Sequence, residues 1–517
     1  MREQCLAPFA LGQPAQHRHG MRSFTLGNLH ETASTLLSKR DFVTPLRIAE
    51  SVATWTPSAA ADFQRWFDDL RTRRQMRVEP VALDDLVGWN TAPDTGNIRH
   101  NSGKFFTIEG LEVHLPNRPV RQWSQPIINQ PEVGILGVIV KEFDGVLHCL
   151  IQAKAEPGNY NGLQLCPTVQ ATRSNYTQVH GGASVPYLEY FRDTARHRVI
   201  ADVRQSEQGA WFRQKRNRNM VVEVEEDVEL LDGFCWVTLG QVHRLLQAED
   251  LINMDARTVL SCFPFAGPDL GTAFPSYGDA FHDALIGSCS EDSGSLHTMS
   301  DILSWITSVR TRTEVFTREV PLNGIPGWRR TEGRISHESG LFFDVVGVDV
   351  RTGSREVNSW MQPMIAPIGT GLVAFLVGNI HGVLHALVHA RIEPGYLDVV
   401  ELAPTVQCTP DNYALLPPAA RPRFVADVLN AAPEQIRFDT LLSEEGGRFY
   451  HSRNRYTIVE VDPHAGYDHP DFRWLTLHQL VDLLRHSHYV NVQARSLVAC
   501  LHSLSATPRF AGGKERS

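Results

Sequence analysis

Four apolar side chains, Phe63, Trp66, Phe67 and Leu70, fall at the i, i+3, i+4, i+7 spacing that lays one stripe along a helix. Ile302, Trp305, Ile306 and Val309 repeat that spacing far down the chain. After each stripe the pattern changes to β-rich apolar runs. Residues 133–140 and 146–155 are two such runs joined by Asp144-Gly145, a dipeptide that accepts the positive φ of a tight hairpin. Residues 371–377 and 383–390, joined by His381-Gly382, repeat the arrangement. Each half then ends in a helix behind a capping threonine, Thr238 before Leu239, Val242, Leu245 and Leu246, and Thr476 before Leu477, Leu480, Leu483 and Leu484. Helices flanking a strand-rich centre predict an α+β sandwich on a mixed sheet.

The pattern recurs because the sequence does. Residues 152–176 read QAKAEPGNYNGLQLCPTVQATRSNY, and residues 389–413 read HARIEPGYLDVVELAPTVQCTPDNY. Trp123 and Trp360, Glu156 and Glu393, Gln170 and Gln407, and Tyr176 and Tyr413 are each 237 positions apart. A repeat this long is a duplicated domain, not the unit of ~20–50 residues that builds a solenoid. The expected organisation is an N-terminal extension over 1–50, partly disordered, and a first module over 51–265. A linker rich in Gly, Pro, Ser and Asp follows over 266–298, then a second module over 299–505 and a tail over 506–517.

Composition narrows the function classes. With 42% hydrophobic and 21% charged residues in 517, the chain reads as globular. A net charge of −9 argues against a nucleic-acid partner, which needs a basic face, yet leaves room for a small anion held by a few arginines. No apolar run approaches the ~20 residues of a spanning helix, and residues 1–25 lack a signal-peptide core, so no membrane partner and a cytoplasmic location are expected. The eight cysteines form no CxxC pair and no zinc-ligand pattern.

The strongest chemical signal is EPG followed by P-T-V-Q-x-T-x-x-N-Y in both halves. Pro157-Gly158 turns the chain out of a strand and sets Lys154, Glu156 and Tyr160 at its end. The second loop gathers Thr172, Arg173, Ser174, Asn175 and Tyr176, with Thr409, Asp411, Asn412 and Tyr413 in the copy. Lys154 becomes Arg391, Tyr160 becomes Leu397, Arg173 becomes Pro410, and His180-Gly181-Gly182 becomes Pro417-Pro418-Ala419, so the first pocket keeps more titratable groups and is the expected working one. Arg216-Asn217-Arg218 and Arg453-Asn454-Arg455 suit a diphosphate, which arginine grips with paired charged hydrogen bonds, or else a solvated face. Trp89 and Trp328, each after a glycine, suit stacking on a base or core packing. No GxGxxG, P-loop, HExxH or GxSxG motif is present.

With EPG, PTVQ and T-x-S-N-Y in this 237-residue duplication, the chain resembles the NDP-hexose 2,3-dehydratases of deoxysugar biosynthesis over about residues 50–505. The resemblance implies a tandem Nudix-like fold, a homodimer, and two dTDP-sugar pockets per subunit of which one is catalytic. It implies no cofactor, because eliminating water between C2 and C3 of a 4-keto sugar consumes no redox equivalent. It also implies a downstream 3-ketoreductase as partner. The elimination needs a base at C3, a donor to the C4 oxygen and an acid for the departing hydroxyl. Glu156 or Tyr160 is the expected proton carrier, with Lys154 and Tyr176 as donors; Glu156 is equally a candidate anchor, since Glu393 persists in the copy. The Nudix metal box is absent. Two alternatives stand beside this reading: a Nudix-type nucleotide-sugar hydrolase and a non-catalytic nucleotide-sugar binding protein.

Overall fold

The two hairpins form as their dipeptides require. Asp144 and Gly145 take φ of 49° and 82° between strands Gly134–Phe143 and Val146–Ala155, and His381 and Gly382 take 52° and 87° between Gly371–Ile380 and Val383–Arg391. The computed structural model describes residues 44–506 apart from 177–183, 268–269, 275, 277, 291–293, 332, 354 and 356. The N-terminal extension up to residue 43, most of the tail, and His180-Gly181-Gly182 therefore lie outside the described residues.

Among the described residues each hairpin sits inside a seven-stranded mixed sheet. In the first, Gly134–Phe143 runs parallel to Arg216–Glu223 and antiparallel to Val146–Ala155. In the second, Gly371–Ile380 runs parallel to Arg453–Glu460 and antiparallel to Val383–Arg391. Thr238 and Thr476 each close a capping box, with Gln241 and Gln479, on helices Leu239–Leu245 and Leu477–Leu484.

Two smaller sheets tie the halves together. Strand Met76–Val81 leaves the first half and pairs antiparallel with Phe343–Thr352 of the second, Met76 opposite Thr352. Strand Phe316–Val320 returns the exchange by pairing with Thr107–His114, Phe316 opposite His114. One hydrophobic cluster then runs through both halves, from Ile48 and Leu147 through Val259 to Phe375, Leu480 and Leu497. From residue 44 onward the chain is one compact unit.

The expected linker over 266–298 needs correction. It contains the helix Ala280–Ser288, capped by Asp279, whose buried Phe281, Ala284, Leu285 and Ser288 recur at i, i+3, i+4 and i+7. The helix packs against strand Val383–Arg391. Its counterpart is the helix over 44–53, most of which falls within the expected N-terminal extension.

Candidate active site

Strand Val146–Ala155 carries Lys154 to its end, and Glu156-Pro157-Gly158 turns the chain, with Asn159 N donating to Glu156 O at 3.1 Å. A Cβ on Gly158 would lie 1.7 Å from Phe449 O, because a loop of the second half crosses directly over this turn. Gly158 N donates to Gly446 O at 2.7 Å, and His451 N donates to Gly158 O at 2.9 Å. The copy reverses the roles: Gly395 N donates to Gly209 O at 2.7 Å, and Gln214 N donates to Gly395 O at 2.7 Å. The duplicated EPG is thus a seam, and each half pushes a loop into the other half's pocket.

At the first seam lies a cavity of about 400 Å³, a size ordinary for small-molecule sites. Trp89, His100, Phe106, Lys154, Glu156, Thr172, Glu207, Lys215, Asn217 and Asp255 line it from the first half, and Arg355, Trp360, Glu445, Gly447 and Arg448 from the second. Glu156 Oε1 accepts from Gln170 Nε2 at 2.9 Å and lies 3.9 Å from Lys154 Nζ, while Gln170 Oε1 accepts from Asn253 Nδ2 at 3.1 Å. Glu207 Oε1 accepts from Asn217 Nδ2 at 2.7 Å, and Glu445 Oε1 accepts from Gly447 N at 3.0 Å. Four further carboxylate oxygens, Oε2 of Glu156, Glu207 and Glu445 and Oδ1 of Asp255, are buried and meet no hydrogen-bond partner among the described residues. Buried polar atoms are nearly always paired, so these four oxygens offer hydrogen-bonding capacity to whatever fills the cavity.

Burial sets the electrostatics. It pushes the Glu445 carboxyl up to about 7, with repulsion from Glu156 adding to the effect, and raises Glu207 as well. It drives Asp255 well above the usual carboxylate range, reinforced by Glu207 and Glu445. Lys215 is lowered to about 8 by burial, although Nζ donates to Glu132 O at 2.6 Å. Acids raised by burial and a lysine lowered by it therefore share one cavity, the kind of setting proton-transfer catalysis uses.

The duplicated positions form a second cluster that keeps the cradle and changes its set of titrating groups: Glu393 and Glu444 remain, and Glu401, pushed up to about 7 by burial, stands where the first half has Gln164. Gln407 Nε2 donates to Glu393 Oε1 at 2.9 Å, Asn491 Nδ2 to Gln407 Oε1 at 2.8 Å, and Asn454 Nδ2 to Glu444 Oε1 at 2.7 Å, repeating the first site bond for bond. Asp255 has become Gln493, however, and Lys215 has become Ser452. On the loop lent by the first half, Gln208 and Trp211 stand where Glu445 and Arg448 stand in the first site. Arg391 replaces Lys154 and donates Nε to Glu393 Oε1 at 2.9 Å. Tyr396 replaces Asn159; its ring packs against Gly209 and its hydroxyl accepts from Asn491 at 3.1 Å.

Several residues singled out from sequence lie elsewhere. Tyr160 is 57% exposed, outside the cavity, with its ring edge-on to His451 and beneath the Arg453 guanidinium at 4.4 Å. Arg216 and Arg218 flank Asn217 on a strand, so the side-chain alternation that turns Asn217 into the cavity turns both arginines away. Arg218 is instead paired with Asp202 at 2.7 and 2.6 Å, as Arg455 is with Asp439 at 2.7 and 2.8 Å, and Arg453 pairs with Asp250 at 3.0 Å. Trp89 does line the cavity, but its Nε1 donates across the seam to Met361 O at 2.7 Å; Trp328 does likewise to Ser124 O at 2.8 Å.

The T-x-x-N-Y loops divide in the same way. Thr172 lines the cavity, Arg173 is exposed, and Ser174 is tied to Glu132 through N at 2.7 Å and Oγ at 3.0 Å. Asn175 and Tyr176 end the short helix Arg173–Tyr176, and their side chains lie outside the described set. In the copy, Thr409 and Asp411 lie beside Gly369, Asn412 Oδ1 accepts from Phe342 N at 3.1 Å, and burial raises the Tyr413 phenol.

Glu207, Lys215, Asp255, Arg355, Glu445 and Arg448 went unrecognised in the sequence. An acid facing its amide, Asp255 against Gln493 and Glu445 against Gln208, was visible by comparing the copies. That Glu445 serves the first pocket was not visible, because it depends on the crossed loops.

Comparison with known proteins identifies the family. Residues 60–263 and 299–501 each match the family described as NDP-hexose 2,3-dehydratase. A Saccharopolyspora spinosa protein named dTDP-4-dehydro-6-deoxy-alpha-D-glucopyranose 2,3-dehydratase is 50% identical over 451 residues, covering 87% of this chain and 92% of that one. Proteins with the same name from Amycolatopsis orientalis and Streptomyces violaceoruber are 45% identical over 494 residues and 46% over 449; the matches cover 95% and 86% of this chain, and 99% and 97% of theirs. Matched in both halves and along nearly all of its described length, the chain belongs to the NDP-hexose 2,3-dehydratase family.

Proposed function

We infer that the protein is a dTDP-4-keto-6-deoxyglucose 2,3-dehydratase, a hydro-lyase that removes the C2 hydroxyl and the C3 proton to give a 3,4-diketo-2,6-dideoxy sugar nucleotide. The observation that carries the reading is the seam cavity, where four buried carboxyl groups with unpaired oxygens face lysines in a chain of this family. The C4 ketone acidifies the C3 proton. Glu156, ion-paired with Lys154, takes that proton, and the electron pair moves into an enolate whose C4 oxygen is held by the ammonium of Lys154 or Lys215. Collapse of the enolate breaks the C2–O bond and forms a C2=C3 double bond. The departing hydroxyl takes a proton and leaves as water. The resulting C3 enol then tautomerises, C2 gaining a proton from solvent. Trp89 and Phe106 give the cavity an aromatic wall suited to the apolar faces of the ligand.

The Nudix-like description of each half belongs to this reading, supported by the seven-stranded mixed sheet with its single parallel central pairing and its flanking helices. So do a homodimer and a ketoreductase that consumes the reactive diketone. The test is incubation with dTDP-4-keto-6-deoxyglucose in D₂O with a 3-ketoreductase present, read by mass and NMR. The expected product lacks the C2 hydroxyl and carries solvent deuterium at C2. Recovery of sugar that keeps its C2 hydroxyl rejects the reading.

A further inference from the structure

Two sites in one molecule offer an internal comparison. Both keep the Glu-Gln-Asn chain, Glu156-Gln170-Asn253 and Glu393-Gln407-Asn491, and both keep the Asn-to-Glu bond, Asn217 to Glu207 and Asn454 to Glu444. Where the first site has Glu445, arriving on the loop from the other half, the second has Gln208. Glutamine copies the shape of glutamic acid and cannot surrender a proton at this step. The replacement therefore preserves packing and removes one function, proton transfer.

We propose that Glu445, supplied by the second half to the cavity of the first, is the acid that protonates the departing C2 hydroxyl. The proposal rests on the dehydratase reading and deepens it. Glu445 Oε1 is fixed by Gly447 N at 3.0 Å. Gly447 O in turn accepts from Gln362 Nε2 at 2.6 Å, and Gln362 Oε1 accepts from Trp360 Nε1 at 2.9 Å. This chain of bonds holds one carboxyl oxygen and leaves the other, Oε2, buried and unpartnered among the described residues. Glu156 is ion-paired with Lys154 and serves as the anion that abstracts the C3 proton, so base and acid come from opposite halves of the chain. In the step itself the enolate electrons form C2=C3, the C2–O pair leaves with the oxygen, and the Glu445 proton completes the water molecule. Glu445 then regains a proton from solvent, and Glu156 releases one, which closes the cycle.

The experiment separates the two half-reactions in Glu445→Gln. With dTDP-4-keto-6-deoxyglucose in D₂O, the variant is expected to exchange the C3 proton for deuterium while water loss falls at least ~100-fold, the ordinary loss when a general acid is removed. The 2-deoxy-2-fluoro analogue supplies the second measurement, because fluoride departs without a proton. Glu445→Gln should eliminate fluoride within about threefold of the wild-type rate, which also shows that the variant is folded. Water loss near the wild-type rate overturns the proposal, and so does loss of both C3 exchange and fluoride elimination. If wild-type protein neither exchanges C3 nor eliminates water, the dehydratase reading fails instead, a result distinct from either.

Discussion

At Glu445, stability and chemistry pull in opposite directions. Its carboxyl titrates at about 7 in the folded chain because burial disfavours the charge, whereas the unfolded chain titrates near 4.3. A raised folded value gives stability that is fully present below the unfolded value and is lost as pH rises through the folded one. Wild-type protein should thus lose stability between about pH 4.5 and 7 at this group. Glu445→Gln should remove that loss, melting higher than wild type at pH 8 by on the order of 1–3 kcal/mol of stability and nearly alike at pH 4.5. Thermal melts across pH read this directly, and a gap that widens toward acid would show the wrong sign. At Tyr160 the expectation is indifference. Its ring sits on the outer side of the seam with Arg453 and His451, so Tyr160→Phe should leave the elimination rate within about twofold, as surface changes usually do.

Local elements were readable wherever the determinant was itself local. Helix stripes, hairpin dipeptides and threonine caps depend on residues a few positions apart, and they form where the pattern puts them. The helix Ala280–Ser288 carried the same spacing in Phe281, Ala284, Leu285 and Ser288, but the surrounding Gly and Pro hid it inside a presumed linker. Exchange of Met76–Val81 for Phe316–Val320 was not readable, because a strand's partner is a tertiary choice that alternation does not encode. Arg216 and Arg218 misled for a related reason: residue type suggested a phosphate grip, while strand register decided which side chains face the cavity. The seam itself supplies an element-scale prediction. Gly158→Ala would force a Cβ to within 1.7 Å of Phe449 O, so the crossing loop must move. The expected cost is roughly 3 kcal/mol or more, seen as a lower melting temperature together with lost elimination; an unchanged melt would contradict the crossed-loop geometry.

On the scale of the molecule, duplication has produced one body with two unlike sites. Strands are traded in both directions, and a single apolar cluster runs from Ile48 to Leu501. Unfolding should accordingly be a single calorimetric transition rather than two, since neither half can keep its small sheets once the other has melted. The reaction class and Glu156 were legible from the duplicated EPG and PTVQ motifs, but the place of Glu445 in this pocket was not, because it arrives on a loop from the other half. On the dehydratase reading, the asymmetry between the sites puts the catalytic pocket at the first seam. The most direct measurement is the rate of C2 hydroxyl loss, followed by NMR, in Lys154→Met and Arg391→Met, variants that remove the cation at equivalent positions. Elimination should fall at least ~100-fold in Lys154→Met, the scale expected when a catalytic donor is lost, and stay within about threefold in Arg391→Met. Equal losses, or a greater loss in Arg391→Met, would contradict the assignment of the working pocket.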